Sequence, residues 1–152
     1  MKTNSVLQIK KLRDEAIIPN RAHAGDAGMD VYSTEDAIIP AGGDHLFPLG
    51  WACSFSRDWV MIIKEKSGRA VNNKLDVGGC VIDSGYRGEV HTHLFNNGQE
   101  DVIINKGEKI AQLIMVPCWS GQPLVVKELS NTPRGSGGFG STGLKKIRTI
   151  DY

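Results

Sequence analysis

An all-β fold, built as an antiparallel sandwich or barrel with the jelly roll as one form, is what three features of the chain predict. The first is turn density: 18 glycines and 6 prolines among 152 residues make roughly a sixth of the chain, against about 12% in ordinary proteins. The second is run length, because the apolar stretches between those turns are short and lack a helical period. The third is size. A chain of this length makes one domain and buries about 70% of its unfolded surface, enough for a core without disulfide or metal staples.

Val6-Leu7-Gln8-Ile9 and Met29-Asp30-Val31-Tyr32 are short runs of strand type. Trp59-Val60-Met61-Ile62-Ile63 is a continuous apolar run too short for an ordinary helix, and reads as a buried strand. Glu89 to Phe95 and Val102 to Ile104 flank Asn96-Asn97-Gly98. Asn-Gly tolerates the positive φ of a tight primed turn, which predicts a hairpin there. Leu113 to Val116 is one more apolar run, and chain breaks fall at Pro40-Ala41-Gly42-Gly43, Pro48, Gly78-Gly79 and Gly121-Gln122-Pro123. Ser67 to Lys74, about two turns at ~3.6 residues each, is the stretch that predicts a helix. Residues 131–143 are almost all Gly, Ser, Thr, Arg and Pro and cannot form a core of their own. The expected organisation is a β domain over 1–130, a glycine-rich arm over 131–143 and a C-terminal extension over 144–152.

Lys and Arg number 18 against 17 Asp and Glu, a formal charge of +1. No basic surplus faces a phosphate backbone, so stable nucleic-acid binding is not expected. Lys145, Lys146 and Arg148 read as a solvated end. Cys53, Cys80 and Cys118 are odd in number, far apart and without CxxC or CxxH spacing, so neither a disulfide framework nor a structural zinc site is predicted. The pattern fits a reducing compartment. Met1-Lys2-Thr3-Asn4-Ser5 leads into mixed polar sequence without a signal peptide's apolar region, and no apolar run approaches the ~20 residues of a membrane span. No membrane association is expected. The expected location is cytoplasmic, or nuclear, or the host cytoplasm if a virus encodes the chain.

Three glycine-centred segments could carry chemistry. Lys66-Ser67-Gly68-Arg69-Ala70 places a cation, a hydroxyl and a glycine where a strand gives way to a helix, which suits an anion; the plainer reading is an N-cap Ser67 beside a solvated lysine. Gly78 to Gly88 encloses Val81-Ile82-Asp83-Ser84-Gly85-Tyr86, a hairpin lip where backbone can approach a ligand and Asp83 can orient and deprotonate water. An Asp-Ser-Gly turn bonded to its own backbone is the alternative. Arg134-Gly135-Ser136-Gly137-Gly138-Phe139-Gly140-Ser141-Thr142-Gly143 can wrap a polyphosphate while Phe139 stacks on a base. It lacks the Gly-Lys-Ser/Thr ending of a P-loop. A flexible linker is the alternative, but a linker has little use for a phenylalanine between glycines.

With two further segments these stretches form a set. Ala27-Gly28-Met29-Asp30-Val31-Tyr32-Ser33, Lys66 to Ala70, Gly78 to Gly88, Gly107-Glu108-Lys109-Ile110-Ala111-Gln112-Leu113-Ile114 and Arg134 to Gly143 resemble, in order and spacing, the five motifs of the trimeric deoxyuridine triphosphatases. The resemblance covers roughly residues 5–143, and the last motif matches without a change. It implies a distorted jelly-roll or β-clip subunit with one short helix and a swapped C-terminal arm in a homotrimer. Three active sites would lie at subunit interfaces, each combining motifs one, two and four, the hairpin of motif three and an arm from different neighbours.

The implied reaction is hydrolysis of dUTP to dUMP and pyrophosphate, which keeps uracil out of DNA and supplies dUMP for thymidylate synthesis. By matching position, Asp83 would activate the water that attacks the α-phosphorus. Tyr86 would pack beneath the deoxyribose and reject a 2′-hydroxyl. The backbone around Gly79, Cys80, Val81 and Ile82 would pair with uracil and exclude thymine's methyl. Lys66, Ser67, Gly68 and Gln112 would hold the phosphates, joined by Arg134, Gly140, Ser141 and Thr142 when the arm closes, with Phe139 stacked on the base. His91 is close enough to the hairpin to line the site. Mg2+ would be held mainly by the substrate phosphates, with Asp30 reaching it through water.

Three positions depart from the family pattern. Lys66 replaces the usual Arg and exchanges a fork for a point charge, Arg69 stands where an apolar residue is common, and Cys80 stands where glycine is frequent. His91 and His93 share a strand face but have no third ligand in sight for a metal. Two rival readings exist. Deoxycytidine triphosphate deaminase shares the fold, but needs a Ser-Ser pair where Ser67-Gly68 stands and a Glu where His93 stands. A non-catalytic β-sandwich that binds nucleotides or proteins would need neither Asp83 nor Tyr86 at a glycine-bounded lip.

Overall fold

The chain changes direction every few residues, and its strands are correspondingly short. The computed structural model describes residues 7–141. Among these, the order is β1 (Gln8–Lys11), β2 (Met29–Tyr32), β3 (Ala37–Ile39), β4 (Asp44–Pro48), β5 (Trp51–Ser54), β6 (Trp59–Lys64), α1 (Ser67–Asn73), β7 (Leu75–Gly78), β8 (Val81–Ile82), β9 (His91–Asn96), β10 (Val102–Ile104) and β11 (Lys109–Pro117). The strands pair antiparallel as β2-β11-β6-β8, β4-β9-β7, β1-β5 and β10-β3. This is the all-β fold expected, with the one short helix where it was expected.

Alternation explains how such short strands fill a core. In β9, Thr92, Leu94 and Asn96 turn inward while His91, His93 and Phe95 turn outward. Phe47, Leu49, Trp51, Met61, Ile63, Leu75, Leu94 and Leu113 are all at most 1% exposed and pack in one cluster. Each such burial contributes about 1.5–3 kcal/mol. The core thus draws on β4, β5, β6, β7, β9 and β11 together.

Two expected hairpins are not formed. Asn96-Asn97-Gly98 does turn the chain, but β10 leaves β9 and pairs with β3, while β9 lies between β4 and β7. The cause is the Asn96 side chain, 1% exposed. Its amide donates to the Ile39 carbonyl at 3.0 Å and to the Glu100 carbonyl at 2.8 Å, and its oxygen accepts from the Gly98 N–H at 2.9 Å. These bonds make a corner between two sheets instead of a two-stranded ribbon. The lip at Gly78 to Val81 is likewise a corner: β7 pairs with β9 and β8 pairs with β6, with Gly79 at φ +57° between them. The helix also starts one residue earlier in its cap than the sequence suggested. Lys66 is the N-cap and Ser67 the first helical residue, and Lys74 ends the helix at φ 56° with its N–H on the Arg69 carbonyl.

The residues up to Ser120 form one compact unit, and a second begins at Gly121. Within the second, short turns recur: Gly135 N–H donates to the Thr132 carbonyl, Gly137 N–H to the Arg134 carbonyl and Ser141 N–H to the Gly138 carbonyl. Truncating the first unit's buried corner tests its role. Asn96→Ala leaves the Ile39 carbonyl without its partner and is expected to lower stability by about 2 kcal/mol, read as a lower urea midpoint at unchanged slope.

Candidate active site

The corner after β7 opens into a small cavity of about 210 Å³ lined by Gly79, Val81, Ile82, Asp83, Tyr86, Glu89, Val90 and His91. Six of these are residues singled out from the sequence. Asp83 is exposed at the rim, and its carbonyl accepts the Tyr86 N–H at 3.0 Å, so a tight turn fixes where the carboxylate leaves the chain. Tyr86 is held from its far end, where the hydroxyl donates to the Glu89 carbonyl at 2.9 Å. Gly88 makes that pose possible: a β-carbon there would overlap the phenol oxygen. His91 Nδ1 lies 2.9 Å from the same Glu89 carbonyl. A carbonyl only accepts, so Nδ1 is the donor in this contact.

Glu89 was not singled out from the sequence, yet it organises this wall. Its side chain accepts from the Gly50 N–H at 2.8 Å and from Arg13 at 3.1 Å, tying the turn to the residue that leads into β5. A carboxylate directly after Gly88 and before a strand was the available signal. Cys80 is half-buried against the core cluster, and its carbonyl accepts the Ile63 N–H at 2.9 Å, which pins the corner to β6.

A second group forms on the outward face of the four-stranded sheet. Asp30, Gln112 and Lys64 occupy one rung across β2, β11 and β6, opposite to the core-facing Val31, Leu113 and Ile63. Gln112 donates to the Glu65 carbonyl at 2.9 Å, and Gly28 leaves the space its amide occupies, since a β-carbon there would overlap it. Asp30 is only 5% exposed and accepts from two lysines, Lys66 on one oxygen and Lys109 on the other, the latter at 2.6 Å. Burial pushes the Asp30 carboxyl up, but the hydrogen bonds and charges of Lys109 and Lys66 together hold it below the usual carboxylate range. The same contact raises Lys109.

Lys109 is a second side chain of this surface that the sequence pattern does not mark, although it lies within the fourth motif. It reaches Asp30 because of a bulge. The β11–β2 register shifts between Lys109 and Ala111, so residues 109 and 112, which strict alternation would send to opposite faces, both reach Asp30's side. Next to it, Arg69 pairs with Glu108 at 2.9 Å and donates to the Lys109 carbonyl at 3.2 Å, so its charge is already matched instead of adding to an anion site. Ser67 and Gly68 are exposed at the start of α1 beside Lys66. Among the charged groups here, Lys64 pairs with Glu65 and Arg69 with Glu108; two lysines share one aspartate.

In the second unit, Arg134 Nε donates to the Gly137 carbonyl at 3.0 Å. Phe139 sits exposed in a left-handed backbone conformation at φ 48°, followed by Gly140 at φ 91° and Ser141. Thr142 lies outside the described residues. His93, outward on β9, bonds Asp44 at 2.7 Å.

The Asp30 pair makes a pH prediction. Its carboxyl titrates lower when folded than the ordinary value of 3.8, so its stabilisation is complete above that value and is lost as pH falls through the lower folded one. The stability difference between the native chain and Asp30→Asn, read by urea unfolding, is expected to be constant down to about pH 5 and to shrink below about pH 4.

The geometry has close relatives. The sequence pattern of the dUTPase family matches residues 14–143. The deoxyuridine 5′-triphosphate nucleotidohydrolase of Clostridium acetobutylicum is 44% identical over 142 residues, covering 92% of this chain and 98% of the relative. The dUTPase of Staphylococcus bacteriophage 80alpha, solved as a point mutant with dUpNHpp, superposes with a TM-score of 0.86 at 28% identity, over 91% of this chain and 99% of that one. A point mutant of the dUTPase from phage phi11 of S. aureus, described with a structural Mg(II) ion, superposes at 0.77 and 25% identity over 83% and 99%. With matching motifs on a matching jelly roll, the chain belongs to the dUTPase family of nucleotide hydrolases.

Proposed function

We propose that the chain hydrolyses dUTP to dUMP and pyrophosphate, with Asp83 activating the water that attacks the α-phosphorus. The observation that carries this reading is the small cavity that gathers Gly79, Val81, Ile82, Asp83, Tyr86 and His91. Gly79 brings bare backbone to its lining, and backbone can pair with the edge of a planar base. Its wall is a tyrosine ring tethered at the hydroxyl, a flat surface on which a sugar lacking a 2′-hydroxyl packs. An exposed carboxylate at the mouth of such a cavity keeps its lone pairs for a water, and general-base assistance of this kind is worth ~10²–10⁴-fold.

The triphosphate requires cations, and the cavity has none in its lining. Lys66, Ser67, Gly68 and Gln112 supply them and their hydrogen-bond donors from the outward face of the four-stranded sheet, and Arg134, Phe139, Gly140, Ser141 and Thr142 come from the arm. That division supports a homotrimer in which neighbouring copies contribute different parts of each site. So does the apolar surface left uncovered near the arm, where Leu124, Val125 and Leu129 are 84%, 95% and 86% exposed. Charge neutralisation and in-line positioning then carry much of the rate.

Among the described residues no three metal-binding side chains converge. A Mg2+ ion therefore fits as one held mainly by the phosphates, with Asp30 meeting it through water, since each carboxylate oxygen keeps a lone pair beyond the one a lysine occupies. Bound there, the ion would offset the charge developing on the phosphoryl oxygens. Among the described residues no helix is long and apolar enough to cross a membrane. Three free cysteines support a reducing location, the cytoplasm, or the nucleus or host cytoplasm in a virus-encoded setting.

Pyrophosphate release measured side by side on dUTP, UTP, dTTP and dCTP is expected to show turnover of dUTP alone. dUTP formed from dCTP would instead mark a deaminase, and no product from any of the four a binding module. Asp83→Asn is expected to retain affinity for the imido analogue of dUTP while turnover falls by ~10²-fold or more; normal turnover in that variant would move the base to another residue.

A further inference from the structure

We infer that Lys109 is a positioning residue that keeps Asp30 paired when Lys66 turns to the triphosphate. This rests on the reading of Lys66 as a phosphate ligand. Asp30 is one buried carboxylate with two ammonium groups on it, Lys66 on Oδ1 and Lys109 on Oδ2. One cation suffices to neutralise it, so the trio carries a surplus positive charge. A buried carboxylate left without any partner is strongly disfavoured, which would hold Lys66 in place if it were the single partner. With Lys109 present, Lys66 can leave and Asp30 stays matched.

The two lysines differ in how they are anchored. Lys66 is the N-cap of α1, adjoining the exposed Ser67 and Gly68, and its long stem can rotate outward. Lys109 rises from a strand bulge whose backbone is braced by Arg69 on the Lys109 carbonyl and on Glu108. The braced lysine keeps the aspartate, and the one at the helix start meets the phosphates. The lysine at position 66 sharpens the need for a second cation: a compact ammonium cannot divide itself between partners as a guanidinium fork does.

A double-mutant cycle on binding of the imido analogue of dUTP, measured by calorimetry with the full chain and chelator present, tests this. Lys109→Met is expected to weaken binding by ~10-fold, the scale of one charged hydrogen bond, and Lys109→Arg to restore it. Lys66→Met/Lys109→Met should bind no worse than Lys66→Met within about twofold, since Lys109 acts through Lys66. In the Asp30→Asn background, Lys109→Met should change binding by less than about twofold. Losses that multiply in the double variant overturn the inference and place Lys109 on the phosphate itself. Native affinity in Lys109→Met, with its melting temperature unchanged, overturns it as well. Native affinity in Lys66→Met would remove the underlying phosphate role of Lys66, and failure of the native chain to bind the analogue would remove the dUTP reading altogether.

Discussion

One buried carboxylate with two ammonium groups ties this protein's sequence-distant segments into a working surface. Asp30 lies on β2, Lys66 at the exit of β6 and Lys109 at the start of β11. Ladder hydrogen bonds alone would align these strands, but would not decide which charges face outward. The aspartate does, because a buried charge must be matched and its partners must therefore converge. Gln112 is drawn into the same rung and finds its own acceptor on Glu65. The face thus carries one positive charge in excess, which is what the proposed phosphate site calls for.

The cavity wall is organised by a different means. The Glu89 carbonyl accepts from both the Tyr86 hydroxyl and His91, and the Glu89 side chain is fastened to Gly50 and Arg13. Rigid walls matter for a selective pocket, because a side chain that yields cannot refuse a slightly larger ligand. Glycine contributes by absence here. Gly88 lets the phenol ring lie flat against the turn, much as Gly28 admits the Gln112 amide on the other face.

Much of this is legible in the amino-acid order, and what is not has physical causes. Met29–Tyr32 and Val102–Ile104 emerge as strands with the bounds read from their apolar runs. β3, β4 and β5 pass unread because Pro40, Pro48 and Gly50 crowd them and their runs are short. The Asn-Gly turn is visible, but its outcome depends on Asn96 being buried under Ile39, a contact with a residue 57 positions away. Local turn chemistry states that the chain bends, and tertiary hydrogen bonds decide what it bends toward. Asp83 and Tyr86 are recognisable from the glycine-bounded motif and His91 from its nearness to it along the chain, and the three share a cavity. Lys109 is hidden because alternation counted along β11 places it on the wrong face, and only the bulge reverses that.

That bulge has a consequence for how the strand can vary. Removing Ile110 would straighten β11, and plain alternation would then send Lys109 and Gln112 to one face and Ala111 and Leu113 to the other. The lysine would keep its side of the sheet; what would go is Ile110 itself, a fully buried member of the core. The extra residue thus lets one strand turn two successive apolar side chains inward, and a shortened strand would weaken the interior before it disturbed the charges above it.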